Sequence, residues 1–388
     1  VSHSPMKVCF LINGLGPAGA ETLLLDIVTH TDADADIDYT VCFLEGEDTL
    51  VPEFENTGAR VVDFEAKFKF DPRAMWRLAR FFQREEFDIL HTHLPYSQTL
   101  GRIFGRLGGQ TTVVSTQHDF RNKYHPVTRT LERVTRPLDT MTVAVSRSVE
   151  RDFTGESHLY PDHGDGWCTI HNGIGVDNFS EYLEQSNNTL VYDEWEIGQG
   201  PIFMTAGRYV SPKRQDVLIR AMKRVTEKIP DATLLVIGWG PLEDELRELV
   251  RRCGLEGSVH ITGRVPSVEP YYAAADVFVF PSERESFGIV LLEAMAAKLP
   301  IVATNIPGPR EVVDNNETGL LVPAGSPEDL AEAMIEFRSE SKRSAFGRQG
   351  YDHVLNNFDI GQTVSSYLQL YEKLLQSYEN SEKNQYTN

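Results

Sequence analysis

Short apolar runs alternate with stretches of helical periodicity along most of the 388 residues. In the first half the runs Val8–Ile12, Tyr39–Phe43, Ile89–His91, Thr112–Thr116 and Met141–Val145 read as strands. In the second half the same reading falls on Ile202–Ala206, Thr233–Ile237, Val259–Thr262, Val277–Phe280 and Ile301–Ala303. Strands separated by helices make βαβ units and parallel sheets. The chain is too long for one hydrophobic core. The expected architecture is α/β, with two Rossmann-like, doubly wound domains facing across a cleft. The pattern divides into an N-terminal domain over residues 1–172, a polar and acidic linker over 173–198, and a C-terminal domain over 199–360. Residues 361–388 read as a helix from Thr363 to Tyr378 followed by a frayed tail, SEKNQYTN. Such sheets bind ligands outside the carboxyl ends of their strands, so the loops that follow strands carry the candidate chemistry.

Composition narrows the class. An apolar fraction of 41% suits a soluble globular protein, and no apolar run reaches the length of a membrane span. The opening VSHSPMKVCF lacks the pattern of a secretory leader, so residues 1–5 read as an extension and the expected location is the cytoplasm. Cys9, Cys42, Cys168 and Cys253 are scattered and read as reduced thiols; no zinc or other metal site is expected.

Charge changes the picture more. The net charge is −20, with 26 Arg against 11 Lys, and an acid surplus poor in lysine suits a high-salt, halophilic cytoplasm. Residues 67–136 run the other way, with 13 bases and 6 acids. Within them KFKFDPRAMWRLARFFQR, residues 67–84, interleaves bases with Trp76, Phe81 and Phe82. One reading is a basic amphipathic helix that touches an anionic membrane or receives an acidic substrate; the other is a solvated helix whose aromatics are core. No nucleic-acid-binding motif accompanies the patch.

Five loops hold candidate chemistry. NGLGPAGAET, after the first strand, presents Gly16 and Gly19 at a helix start, where backbone N–H groups suit a phosphate; no acid ends the strand Tyr39–Phe43, as a dinucleotide signature expects. HTHLPYS and STQHDF place His93 and His118 at adjacent strand ends. In MTAGRYVSPKRQD, Arg208 and Lys213 lie just beyond a strand, a spacing that suits a diphosphate. FPSERESFGIVLLEAMAAKLP sets Glu285 in a loop, Phe287, Gly288 and Ile289 at a helix start, and Glu293 inside an apolar helix. A carboxylate there needs partners, and ribose hydroxyls can supply them; a salt bridge in the core is the alternative.

These stretches, with DILHTHL, VAVS, HNGI, LLVIGWGP, ITGRVP and NNETGLLVPAGSPEDL, resemble the group-1 (family 4) retaining glycosyltransferases with the GT-B fold, over about residues 7–375. The resemblance implies transfer of a sugar from a nucleotide-diphosphate sugar, a UDP-sugar favoured, to a hydroxyl of a glycan or lipid-linked acceptor, with no cofactor and no obligatory metal. By the same resemblance, Arg208 and Lys213 neutralise the departing diphosphate, Glu293 holds ribose, and Glu285 holds the donor sugar. His118 stands beside that sugar, His93 lies on the acceptor side, Arg264 and Val265 read the base, and the Gly16–Gly19 turn closes on the phosphates. Two departures stand out: Ala18 replaces the first of the usual paired glycines, and Gly175-Val176 intervene before Asp177. A non-catalytic nucleotide-sugar-binding protein or a sugar-nucleotide epimerase is the alternative on this fold. A scaffold that had lost turnover is expected to lack Arg208, Lys213 or Glu293, and all three are present.

Overall fold

The computed structural model describes residues 4–32, 35–195 and 197–386. The chain forms two units, Val1–Gly173 with Ile360–Asn388, and Ile174–Asp359. The first unit contains strands β1 (Met6–Ile12), β2 (Ile37–Phe43), β3 (Arg60–Asp63), β4 (Ile89–His93), β5 (Val113–Gln117), β6 (Met141–Ala144) and β7 (Trp167–Thr169). They pair in the order β3-β2-β1-β4-β5-β6-β7, every pair parallel. The second contains β8 (Ile202–Ala206), β9 (Thr233–Ile237), β10 (Val259–Gly263), β11 (Val277–Phe280), β12 (Ile301–Thr304) and β13 (Gly319–Val322). These pair in the order β10-β9-β8-β11-β12-β13, again all parallel. In each sheet the strand order reverses once, between β1 and β4 and between β8 and β11, which creates the switch point where doubly wound sheets bind ligands.

The central strands β4 and β5 are buried along their whole length because helices cover both faces. In β1 the pleat sends Val8, Phe10 and Ile12 to one face, where they meet Leu23, Leu24 and Ile27 together with Tyr367 and Tyr371. Cys9 and Leu11 go to the other, against Ala74, Leu78 and Phe82. Cys9, Cys42 and Cys168 are buried free thiols and Cys253 is half-buried.

Three strands escaped the sequence reading. β3, β7 and β13 have four, three and four residues. All three are edge strands; β3 begins and ends on a charged residue, and β7 has an apolar stretch of only two residues. The segment read as a linker is instead mostly helix, Val176–Gln185 and Thr189–Glu194, and belongs to the second unit. Each helix buries one valine, Val176 or Val191, too few for a periodic signal. Phe179 meets the Tyr272 ring at 5.5 Å, and Asn188 Nδ2 donates to Ala273 O.

The last helix runs from Ile360 to Tyr386, longer than expected at both ends, and joins the first unit. Thr363 Oγ1 donates to His171 O, and the Tyr371 hydroxyl lies 2.6 Å from His91 Nδ1. The tail expected to fray is helical through Tyr386; Thr387 and Asn388 lie outside the described residues, as do positions 1–3 of the expected N-terminal extension.

Candidate active site

In the second unit the candidate residues gather at the switch point. The loops after β8 and β9 interlock: Gly207 N–H donates to Ile237 O at 3.0 Å, and Tyr209 N–H donates to Trp239 O at 2.8 Å. Gly238 makes this possible, since a Cβ there would stand 2.0 Å from Gly207 O. The backbone of Arg208 is thereby pinned while its side chain is exposed, and its guanidinium has no hydrogen bond or ion pair among the described residues.

Lys213 ends a short turn, Ser211–Lys213, and its Nζ lies 2.6 Å from Glu285 Oε2 and 5.1 Å from the centre of the Phe280 ring. The side chains are 26% and 15% exposed, so the pair is partly shielded yet open to a ligand. Two further bonds stitch the same loops together: Glu283 N–H donates to Pro212 O, and Arg214 Nη1 donates to Glu283 Oε2 at 2.8 Å. Glu285 Oε1 accepts from Ser286 N–H. Gly308 backs this loop, with its N–H donating to Glu285 O and no room for a Cβ, which would lie 2.8 Å from that oxygen.

The helix Ile289–Ala296 opens at Gly288, whose φ of +99° favours glycine, and no side chain caps it. Leu291 N–H already donates to Gly288 O; a helix start with no side-chain cap suits an anion at its remaining donors. Phe287 is buried beneath this turn. Glu293, half-buried inside the helix, accepts a 2.7 Å hydrogen bond at Oε2 from the Tyr272 hydroxyl. Burial first, and the Glu293 charge second, raise the Tyr272 phenol well above its ordinary range, so it stays a donor. After β10, Arg264 is exposed and Val265 half-buried; the Arg264 guanidinium lies 4.9 Å from the Trp239 ring centre.

In the first unit, His93 Nδ1 and His118 Nε2 are 3.0 Å apart, so the structure brings these two predicted residues together. His93 is fully buried, and its Nε2 has no hydrogen-bond partner among the described residues. Burial depresses both imidazoles, His118 to about 4, so one neutral ring donates to the other. His91 serves the core, held between Tyr371 and Thr116. The Gly16 turn is tight for a different reason from a phosphate: a Cβ there would lie 2.7 Å from Glu47 Oε2. Gly19 opens the helix Gly19–Thr29, which has no side-chain cap.

Of the basic segment, the helix Pro72–Phe82 turns Ala74, Leu78 and Phe82 into the core and leaves Trp76 61% exposed; Phe68 and Phe70, earlier in the segment, are exposed as well. The reading that its aromatics are core holds for Phe82 and fails for Trp76. Arg80 lies over Trp76, and Arg77, Arg80, Arg84 and Trp76 line a groove of about 430 Å³. Among the described residues no helix is long and apolar enough to cross a membrane.

Tyr272, Phe280 and Trp239 are site neighbours that sequence reasoning missed. Tyr272 lies 21 positions before Glu293, and nothing in its local pattern marks it. Trp239 stood in view inside GWGP without a strand-end neighbour to give it meaning.

Two parallel, doubly wound units with cations and carboxylates at a shared strand-end rim of the second define a GT-B protein. Residues 17–178 match the family model for Glycosyltransferase Family 4, and residues 193–353 the model for Glycosyl transferases group 1. The chain is 28% identical to a phosphatidyl-myo-inositol mannosyltransferase of Mycobacterium leprae, over 85% of its own length and 86% of the relative's. It is 26% identical to an N-acetyl-alpha-D-glucosaminyl L-malate synthase of Bacillus anthracis, over 78% and 79%. Among solved structures it resembles Anabaena HepE in complex with UDP-glucose, with a TM-score of 0.78 at 20% identity over 96% of this chain and 100% of the other. Sucrose-phosphate synthase from Thermosynechococcus elongatus gives 0.77 at 19% identity, over 96% and 100%. The chain belongs to the group-1 (family 4) glycosyltransferases.

Proposed function

We propose that this glycosyltransferase moves a sugar, with retention of configuration, from a nucleoside diphosphate sugar to a hydroxyl of a glycan or lipid-linked acceptor. The observation that carries the proposal is the Lys213–Glu285 pair at the switch point, beside the exposed Arg208 and the uncapped helix start at Gly288. In this reading Arg208, Lys213 and the first N–H groups of that helix bind the diphosphate and take up the charge that grows on it as the glycosidic bond breaks. Lys213 moves from Glu285 to the phosphate, and Glu285 turns to the sugar hydroxyls. Glu293, aligned by Tyr272, holds the ribose. For the first unit the reading keeps the roles the resemblance implies, the Gly16–Gly19 turn for the phosphates and neutral His118, held by His93, for the sugar. A UDP-sugar is favoured, in keeping with the UDP-glucose-bound HepE likeness; relatives named for GDP-mannose make that donor the chief competitor.

The acceptor reading rests on the exposed Trp76, Phe68 and Phe70 among arginines and lysines, a surface suited to the inner, anionic face of the cell membrane. The mannosyltransferase relatives, named for phosphatidylinositol acceptors, support it. A small soluble anion is the second reading, favoured by the likeness to the malate-dependent enzyme. Nucleotide release from a panel of nucleotide sugars, with lipid extract or with soluble acceptors, separates these readings, and the anomeric form of the product tests retention. No release from any nucleotide sugar refutes the proposal, and full activity on soluble acceptors without vesicle binding refutes the membrane part.

A further inference from the structure

His118 opens a loop that is tied back to the strand it leaves. The pleat of β5 sends Ser115 and Gln117 toward the helices Pro95–Leu107 and Pro126–Thr135, and Thr116 and His118 toward His91 and His93. The chain leaves the strand through residues 119–123, none of them buried. It then reaches Tyr124, whose hydroxyl donates to Gln117 Oε1 at 2.7 Å, seven positions earlier.

This tie admits one arrangement. Thr116 O can only accept, and Gln98 Nε2 donates to it at 2.7 Å. Gln98 therefore turns Oε1 to Gln117, which answers with Nε2 at 3.3 Å; the same nitrogen donates to Glu132 Oε1 at 3.4 Å. Gln117 Oε1 is left as an acceptor, and Tyr124 must be its donor. Burial, with the charges of Asp119 and Glu132 adding to it, pushes the Tyr124 phenol far above its ordinary range, so its proton stays.

Gln98, Thr116, Gln117 and Glu132 are fully buried. Apolar side chains would fill this space with less desolvation cost, so packing alone does not call for two amides and a carboxylate. What the network does is fix direction: one backbone carbonyl orients two amides in turn, and the last of them holds a single hydroxyl of the His118 loop. The other ties of that loop are exposed to solvent. Arg121 N–H donates to Asp152 Oδ2 at 2.8 Å, and Lys123 pairs with Asp119 at 2.7 Å; contacts of this kind contribute little. On the opposite face, His93 is the one hydrogen-bond partner of the His118 ring among the described residues.

We infer that Tyr124 is a positioning residue for the transfer reaction: through Gln117 it sets the path of the loop that opens with His118, and so the place of that imidazole. The inference rests on the proposed role of His118 beside the donor sugar.

Two readouts test it in the wild type, Tyr124→Phe, His118→Ala, the Tyr124→Phe/His118→Ala double variant and Asp152→Ala. The first is the magnetic-resonance signal of the His118 ring in protein carrying isotope-labelled histidine, identified by its absence from His118→Ala. Tyr124→Phe is expected to shift or broaden it, and Asp152→Ala to leave it in place. The second is nucleotide release from UDP-glucose and from GDP-mannose, with phosphatidylinositol vesicles or malate as acceptor. Tyr124→Phe is expected to lower kcat about tenfold, as for one lost hydrogen bond that leaves a buried partner unsatisfied. Donor KM should hold, because the cations proposed to bind the diphosphate lie in the second unit. The double variant should be no slower than His118→Ala alone, the signature of a residue that acts through another, and Asp152→Ala should keep the wild-type kcat. An unmoved His118 signal in Tyr124→Phe overturns the inference. So does an unchanged kcat in Tyr124→Phe while His118→Ala is slow, a loss that multiplies in the double variant, or an equal loss in Asp152→Ala; each of these leaves the role of His118 standing. Full activity in His118→Ala overturns that role itself, and the inference with it.

Discussion

Lys213 and Glu285 meet at 2.6 Å across the switch point of the second sheet, although 72 residues separate them. Each is the other's counter-ion, which keeps a half-shielded cation and anion satisfied until a stronger partner arrives. In the proposed function a diphosphate is such a partner for the lysine, and its entry releases the carboxylate. Lys213→Ala is therefore expected to lower kcat by about 10²–10³-fold, the range for losing one transition-state donor, with donor KM changed severalfold at most. Combining it with Glu285→Ala should cost less than the product of the single losses, measured as nucleotide release at saturating donor. Independent, multiplying effects would show that the two do not act as a pair.

Tyr272 provides a finer probe of the proposed ribose site. Tyr272→Phe keeps the ring in the core and removes the hydroxyl that donates to Glu293 at 2.7 Å. Donor KM should rise about tenfold, as for one hydrogen bond to a charged group, while kcat holds. Glu293→Ala should raise it further. A fall in kcat at constant KM in Tyr272→Phe would place Glu293 in the chemical step instead.

Gly308 tests the loop from behind. A methyl group at this position meets Glu285 O at 2.8 Å and Phe287 N at 2.9 Å, so Gly308→Ala must displace the segment that carries Glu285 to the helix start. Turnover is expected to fall at least tenfold with the unfolding midpoint lowered by only a few degrees. Equal activity in the two proteins would mean that the loop's position is unimportant.

How much of this could be read beforehand depends on sequence distance. The βα alternation, ten of the described strands and the candidate cations and carboxylates were legible because each has a local mark: an apolar run, a strand-end glycine, a charge inside an apolar helix. The polar segment 173–198 misled because two short helices that bury one valine each look like a linker. Tyr272 and the placement of the last helix were illegible for another reason. Their meaning lies in contacts with residues far along the chain, Glu293 for the one and His91 and Thr116 for the other.

The histidine pair predicts a pH response with a definite sign. The folded-state pKa of His118, about 4, lies below the ordinary 6.5 because burial penalises the charged ring. As pH falls, the unfolded chain takes up its proton first. The stability this neutral ring lends is complete above pH 6.5 and is lost as pH falls through 4, with a slope of at most about 1.4 kcal/mol per pH unit. Urea unfolding of the wild type and His118→Asn between pH 4 and 7 should show the wild type losing ground to the variant as acid is added. Parallel curves would mean the imidazole is not buried in its neutral form.

The net charge of −20 carries its own expectation. If the acid surplus is an adaptation to salt, screening by molar KCl should raise the unfolding midpoint by several degrees over dilute buffer. A flat salt response, with full stability in dilute buffer, would remove the halophilic reading.

The helix Ile360–Tyr386 packs in the unit that also holds residues 1–173, while residues 174–359 form a unit of their own. This routing sets an order of assembly on the ribosome. The strand that carries His91 is made early, but the hydroxyl of Tyr371 that closes over it emerges 280 residues later. The second unit is contiguous and has everything it needs once residue 359 is out. The unit begun first is thus the one finished last, and until then its β1–β4 core presents an uncovered apolar face to the cell's folding machinery.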